Sequence, residues 1–401
     1  MEFTLNNGLR CVAAKSDGNV SYMGLLVNAG SRYDGPHPGL AHFVEHTLFK
    51  GTPSLRSWQV SSRMETVGGE LNAYTTKEEI MLYTTAPAGY EARAAQLLAD
   101  LAQNASFPAE EIERERGVVL EEIDSYKDQP AFAVFDDFDE RFFAGSDLAH
   151  NILGYPDTVN AITREDAHNF LKDWFTPGNM VVYSLSPLEP EKQIRLLEKY
   201  FSAFEGRKRE YDAKPVMIMP EFHDVDDNNR HQANTLLGCR TMSMRDSKRH
   251  ALYLLNSILG GPAMNSRLNR ELRERRGLVY TVETACALYS DCGVFQVYFG
   301  CDPKNVGKCT ATVRRELEKL ADKTLSDRAF NKAVEQLCGQ LLVSGDNMES
   351  RAMLMAKSVL RYGEVADTRT QADKIRSVTP AQLRDLAIEL ASRPWSSLSL
   401  I

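Results

Sequence analysis

The spacing of apolar residues changes along the chain from runs and alternation to a helical period and back. Residues 22–30 (YMGLLVNAG) form an apolar run of strand length, and residues 71–86 (LNAYTTKEEIMLYTTA) alternate as a half-buried strand does. Residues 88–104 and 108–126 carry apolar positions at helical spacing; in the second, Val118, Val119 and Ile123 predict one buried face. The order then returns. A strand is predicted at 233–242, a helix through 252–259, strands at 279–289 and 293–301, and helices at 305–322 and 326–342. This predicts an α+β fold of two homologous domains related by internal duplication. Aligning SFPAEEIERERGVVLEE with TLSDRAFNKAVEQLCGQ sets Phe107 on Leu325 and Ile112 on Phe330. Glu115 then falls on Ala333 and Glu122 on Gln340.

Residues 206–232, between the halves, mix charges with two prolines and no sustained period, which predicts an extended linker. The expected domains are 1–205 and 233–401. His223, Asp224, Asp226 and Asp227 fall in the linker, where an acidic solvated loop is the expectation rather than a second metal site.

Composition narrows the function classes. The chain has 401 residues, long enough for more than one core, with ordinary hydrophobic (43%) and charged (25%) fractions for a globular protein. A net charge of -8 without a long basic run argues against nucleic acid as the main partner. No run of 18 apolar residues predicts a membrane span, and no signal peptide is visible, so the expected location is the cytoplasm. Seven cysteines without a C-x-x-C pair predict free thiols.

The chemistry concentrates in GLAHFVEHTLFKGT (residues 39–52), which contains H-x-x-E-H at His42, Glu45 and His46. In a helix, positions i and i+4 share a face, so both imidazoles can reach one metal ion, and Glu45 at i+3 can reach the ion's open side. This is the reverse of the H-E-x-x-H zinc peptidase order. Catalytic zinc needs a third protein ligand, often a carboxylate. Glu115 and Glu122, two helical turns apart in residues 113–126, are the candidates: one can face the metal while the other supports a ligand.

With Glu122 standing 76 residues after His46, and Glu115 seven residues before Glu122, the chain resembles the pitrilysin-type (M16) zinc metallopeptidases, in particular the short two-domain subgroup similar to mitochondrial processing peptidase. The resemblance covers nearly the whole chain. It implies His42, His46 and Glu122 as ligands of one Zn2+ per chain, Glu45 as general base toward a zinc-bound water, and Glu115 as a supporting carboxylate. It also implies that each domain is a mostly antiparallel sheet with helices packed on it, with the second lacking the metal motif.

Three further expectations concern substrate and assembly. Gly68–Gly69 precedes an alternating strand whose edge can add an extended peptide; in the family this strand lies beside the zinc, and Asn72 and Ala73 match its N-A pair. In ILGGPAMNSRLNRELRERRGLVYTV, Arg273 and Tyr280 match the family's R-x-x-x-x-x-x-Y, implying contact with substrate or oxyanion. Gly260–Gly261–Pro262 departs from the family's all-glycine loop. Lastly, long relatives close four such domains around a peptide, whereas this chain supplies two. The resemblance therefore implies a homodimer with composite sites, acting on short or unfolded peptides. A non-catalytic, peptide-binding subunit of a heteromeric peptidase is the alternative.

Overall fold

The computed structural model describes residues 1–206, 214–217, 219–227 and 231–401. The first half contains β1 (Glu2–Thr4), β2 (Arg10–Lys15), β3 (Val20–Val27), α1 (Leu40–Leu48), α2 (Ser57–Glu65), β4 (Glu70–Thr75), β5 (Ile80–Pro87), α3 (Glu91–Asn104), α4 (Ala109–Lys127), α5 (Pro130–Phe142), α6 (Pro156–Ala161), α7 (Arg164–Trp174), β6 (Met180–Ser186) and α8 (Pro190–Phe201). The second contains β7 (His223–Asp226), β8 (Ala233–Thr241), α9 (Arg249–Gly260), β9 (Val279–Leu288), β10 (Gly293–Cys301), α10 (Val306–Asp322), α11 (Asp327–Ser344), α12 (Met348–Tyr362), α13 (Thr368–Arg376), α14 (Pro380–Ser392) and β11 (Trp395–Leu400).

The duplication is visible in the sheets. The first has strand order β1-β2-β6-β3-β5-β4 and the second β7-β11-β8-β10-β9. Apart from the added β1 the orders correspond strand for strand. Each sheet has one parallel pair, β2 with β6 and β7 with β11, and is otherwise antiparallel. The α+β architecture of two related halves therefore stands.

Two compact units are present, and neither is contiguous in sequence. Unit one comprises Met1–Ser125, His150–Lys214 and Gly345–Asp367; unit two comprises Tyr126–Ala149, Pro215–Ser344 and Thr368–Ile401. Helix α12 thus packs on the first sheet and α5 on the second. The cause is amphipathic: Leu25 and Val27 of β3 face a core built with α1 and α3, while Leu26 faces Ala352, Met355, Ala356 and Val359 of α12. Likewise Val134, Phe138 and Phe142 of α5 pack on Leu236, Val294 and Leu398. Burying such side chains contributes roughly 1.5–3 kcal/mol each. Each sheet is covered by a helix from the other sequence half.

Two expectations change. Residues 71–86 are not one strand. They form the hairpin β4–β5, with Thr75 opposite Ile80. The break comes from Thr76, whose N–H donates to Glu79 O at 2.8 Å and whose Oγ1 accepts from the N–H groups of Glu78 and Glu79. The predicted linker 206–232 lies partly outside the described residues, and its described part includes a strand. β7 pairs with β11, and Asp224 and Asp226 accept from Arg141 at 2.8 and 2.7 Å. His223 Nδ1 lies 2.9 Å from Ser397 Oγ. The acidic loop is a sheet edge pinned to α5.

Candidate metal centre and active site

Helix α1 is set in place at its start. Gly39 has φ 98°, and a Cβ there would meet Leu153 O at 2.6 Å, so glycine alone fits. The fully buried Asp34 carboxylate accepts from Gly39 N at 2.6 Å and Ala41 N at 2.7 Å, occupying two of the helix's unpaired donors. Buried Leu40, Ala41, Phe43, Val44 and Leu48 fix its rotation. His42, Glu45 and His46 then share a face, as the H-x-x-E-H spacing predicts. On α4, buried Ile112, Val119 and Ile123 play the same part and carry Glu115 and Glu122 toward α1.

His42, His46 and Glu122 offer donor atoms that all lie within 4.8 Å of one another. Glu122 Oε2 is 3.7 Å from His42 Nε2 and 3.5 Å from His46 Nε2. The two rings meet edge-on, centroids 4.6 Å apart. An ion roughly 2.0–2.2 Å from each donor in a tetrahedron sets neighbouring donors roughly 3.3 Å apart, so the spacing suits a small divalent cation. The donor set, two imidazoles and a carboxylate, suits zinc.

Glu115 is buried, and its two oxygens divide its work. Oε2 is 3.3 Å from His46 Nδ1, and Oε1 is 2.7 Å from Lys50 Nζ. The contact at Nδ1 turns His46 Nε2 toward Glu122. Between the two candidates, Glu122 thus faces the histidine pair and Glu115 stands behind one imidazole. Glu45 is outside this donor set, and its Oε2 accepts from Thr75 Oγ1 at 2.7 Å.

With protons as the only cations, the two histidines differ. Burial, reinforced by the neighbouring His46, pushes His42 down to about 4, and Glu122 offsets this only in part. His42 is therefore a neutral imidazole at neutral pH, and its Nδ1 is buried without a hydrogen-bond partner among the described residues. Burial also lowers His46, but Glu122, Glu45 and Glu115 together outweigh it and leave its pKa raised. The hydrogen bond with His46 draws Glu122 below the usual carboxylate range. Burial, with Glu122 adding to it, raises Glu45 despite Thr75 and His46.

The edge-strand expectation has a structural counterpart. β4 ends the first sheet's strand order, with Asn72 opposite Tyr83 and Ala73 opposite Leu82. Asn72 is exposed and Ala73 packs on the core. Arg273 and Tyr280 belong to the second unit. Arg273 sits in a wide helical turn, Asn269–Glu274, where Arg275 N donates to Arg270 O at 3.0 Å; Tyr280 on β9 is 67% exposed. Sequence reasoning missed Lys50, Thr75 and Asp34. Lys50 carried a signal, one helical turn after His46. Thr75 and Asp34 carried none, because only the fold brings them to α1.

Comparison with known proteins gives the family and the fold. The family model described as Insulinase (Peptidase family M16) matches residues 10–156, and that described as Peptidase M16 inactive domain matches residues 161–337. An uncharacterized zinc protease of Streptomyces coelicolor is 32% identical, covering 99% of this chain and 88% of that protein. The uncharacterized zinc protease YmxG of Bacillus subtilis is 27% identical over 100% of this chain and 97% of its own. Two crystal structures share the fold at TM-score 0.90. A peptidase M16 inactive domain from Pseudomonas fluorescens is 17% identical, covering 100% of this chain and 97% of that one. A protease from Helicobacter pylori is 20% identical, covering 100% and 98%. No helix among the described residues is long and apolar enough to cross a membrane. The chain belongs to peptidase family M16.

Proposed function

We propose that this chain is a zinc-dependent endopeptidase acting on short or unfolded peptides. One observation carries the reading: His42 Nε2, His46 Nε2 and Glu122 Oε2 converge, and a further carboxylate, Glu45, stands beside them. The three converging groups would hold the metal. Bound zinc would supply Lewis acidity and a water of lowered pKa.

The remaining chemistry belongs to the chain. Thr75 holds Glu45 Oε2, which orients Oε1 to take a proton from water and pass it to the leaving amine. Burial raises Glu45 toward the operating pH, where a general base is both deprotonated and basic enough. Glu115 fixes the tautomer and direction of His46, and Lys50 balances its charge. The open edge of β4, with Asn72 and Ala73, offers main-chain hydrogen bonds to an extended peptide.

Arg273 and Tyr280 would stabilise the oxyanion, supplied by a second copy in a homodimer with composite sites. Mixing Glu45→Gln chains with Tyr280→Phe chains tests this sharing. Restored hydrolysis after subunit exchange supports it, and none restored removes it.

The test of the activity is a peptide mixture incubated with the protein, with and without chelator, beside Glu45→Gln. The variant should keep one zinc per chain and lose hydrolysis by roughly 10²–10⁴-fold. Undiminished cleavage by Glu45→Gln, or cleavage indifferent to the chelator, would end this reading.

A further inference from the structure

We propose that the second unit carries an oxyanion-binding pocket at the place where the first unit carries its metal-type side chains. Helices α9 and α11 are the counterparts of α1 and α4. Between them lies a cleft of about 300 Å³, reached by Ser257 of α9 and by Lys332 and Ala333 of α11. In the register that relates the halves, Ala333 stands where the first half has Glu115. The exchange of a carboxylate for a methyl removes a negative charge and leaves room.

The charge of this cleft is inverted. Arg267, Arg270 and Lys332 line it, and no aspartate or glutamate does. Each guanidinium also has one long contact to a carboxylate outside the lining, and another cation holds that carboxylate more closely. Glu316 is 3.5 Å from Arg267 but 2.5 Å from Lys319; Glu271 is 3.6 Å from Arg270 but 2.7 Å from Arg275. Lys332 makes no ion pair among the described residues. Two guanidinium groups only loosely paired with carboxylates, and an ammonium with no ion pair among the described residues, leave the lining with net positive charge. That charge attracts a ligand of opposite sign, and the guanidinium fork matches the paired oxygens of a carboxylate or phosphate.

The cleft is also braced. Asn265 Nδ2 donates to Gln336 Oε1 at 2.7 Å, and Gln336 Nε2 donates back to Asn265 Oδ1 at 3.2 Å. This pair ties the segment bearing Arg267 and Arg270 to the helix bearing Lys332. The three cations are thereby held around one space before any ligand arrives, which lowers the ordering cost of binding.

The ligand is an oxyanion, either free phosphate or a peptide carboxylate. Calorimetric titration of the zinc-loaded full chain with inorganic phosphate, and separately with a capped triglutamate peptide, distinguishes the sources. Ionic strength is held constant with chloride. Bound metal also attracts oxyanions, so the difference between wild type and variant carries the test. An Arg270→Gln/Lys332→Gln double variant removes two exposed cations and should weaken binding at least about tenfold. Ala333→Glu restores a carboxylate to the cleft and should abolish it. Saturable binding of phosphate alone, or of the peptide alone, assigns the source. Absence of saturation by both, or equal affinity in wild type and both variants, overturns the proposal.

Discussion

On α4 the inward positions run Ile112, Glu115, Val119 and Ile123; on α11 the matching positions are Phe330, Ala333, Leu337 and Leu341. Three of the four stay apolar, although on α11 the buried positions are Phe330, Val334 and Cys338, and Ala333, Leu337 and Leu341 are partly buried. The fourth exchanges a buried carboxylate for a methyl. A carboxylate buried without partners costs several kcal/mol, so Glu115 is tolerated because His46 and Lys50 satisfy it. The second half offers no such pair on α9. Duplication therefore kept an apolar stripe on each helix without keeping every buried position, while the polar positions on two helices set the chemistry of each half.

This contrast can be broken most severely at the ligands. Glu122→Gln should strip the protein of retained zinc and abolish hydrolysis, whereas Gln340→Glu, its counterpart, should leave zinc at one per chain. Metal analysis after gel filtration reads both. Two zinc ions per chain in Gln340→Glu would show that the halves differ less than their side chains suggest.

The exchanged helices offer a second contrast. Arg361 and Lys357 of α12 hold Glu79, 3% exposed, at 2.6 and 2.8 Å. Arg141 of α5 holds the more exposed Asp224 and Asp226. Removing a partner from a buried pair costs far more than from an exposed one. Arg361→Ala should cost roughly 3 kcal/mol in urea unfolding, and Arg141→Ala less than about 1 kcal/mol. Equal losses would show that burial does not separate them.

Smaller effects separate the two histidines. Glu115→Gln should weaken zinc binding roughly 10–100-fold by releasing His46, while leaving His42 as it is. Protons compete with metal for the same nitrogens. His46 is raised, so zinc affinity should begin to fall as pH drops through a value above the ordinary 6.5. His42, held near 4, should add a second, steeper fall only in that lower range. Chelator competition across this range measures both limbs. A flat affinity from pH 7 to 5 would exclude His46 as a ligand.

The motif on α1 was legible because five consecutive residues carry it, and Glu122 because one helix fixes its face. The strand pair β9–β10 was legible for the same local reason. The hairpin at residues 76–79 was not, because Thr76 ends the strand through hydrogen bonds that alternation does not encode. β6, Met180–Ser186, is buried at all seven positions and so lacks the alternation that marks a half-exposed strand. The crossing of α5 and α12 was also hidden. An amphipathic pattern reveals which face of a helix is covered, never which sheet covers it.

That crossing governs the order in which the molecule can be finished. When residue 206 leaves the ribosome, β1–β6 exist but Val12, Leu26, Met81, Val181 and Tyr183 still lack Met355, Ala356 and Val359. At roughly 5–20 residues per second, the missing helix follows about 8–30 s later. Throughout that interval an apolar sheet face lacks the helix that covers it. A fragment cut at the midpoint would carry every metal-type residue and still lack the helix that closes its own core.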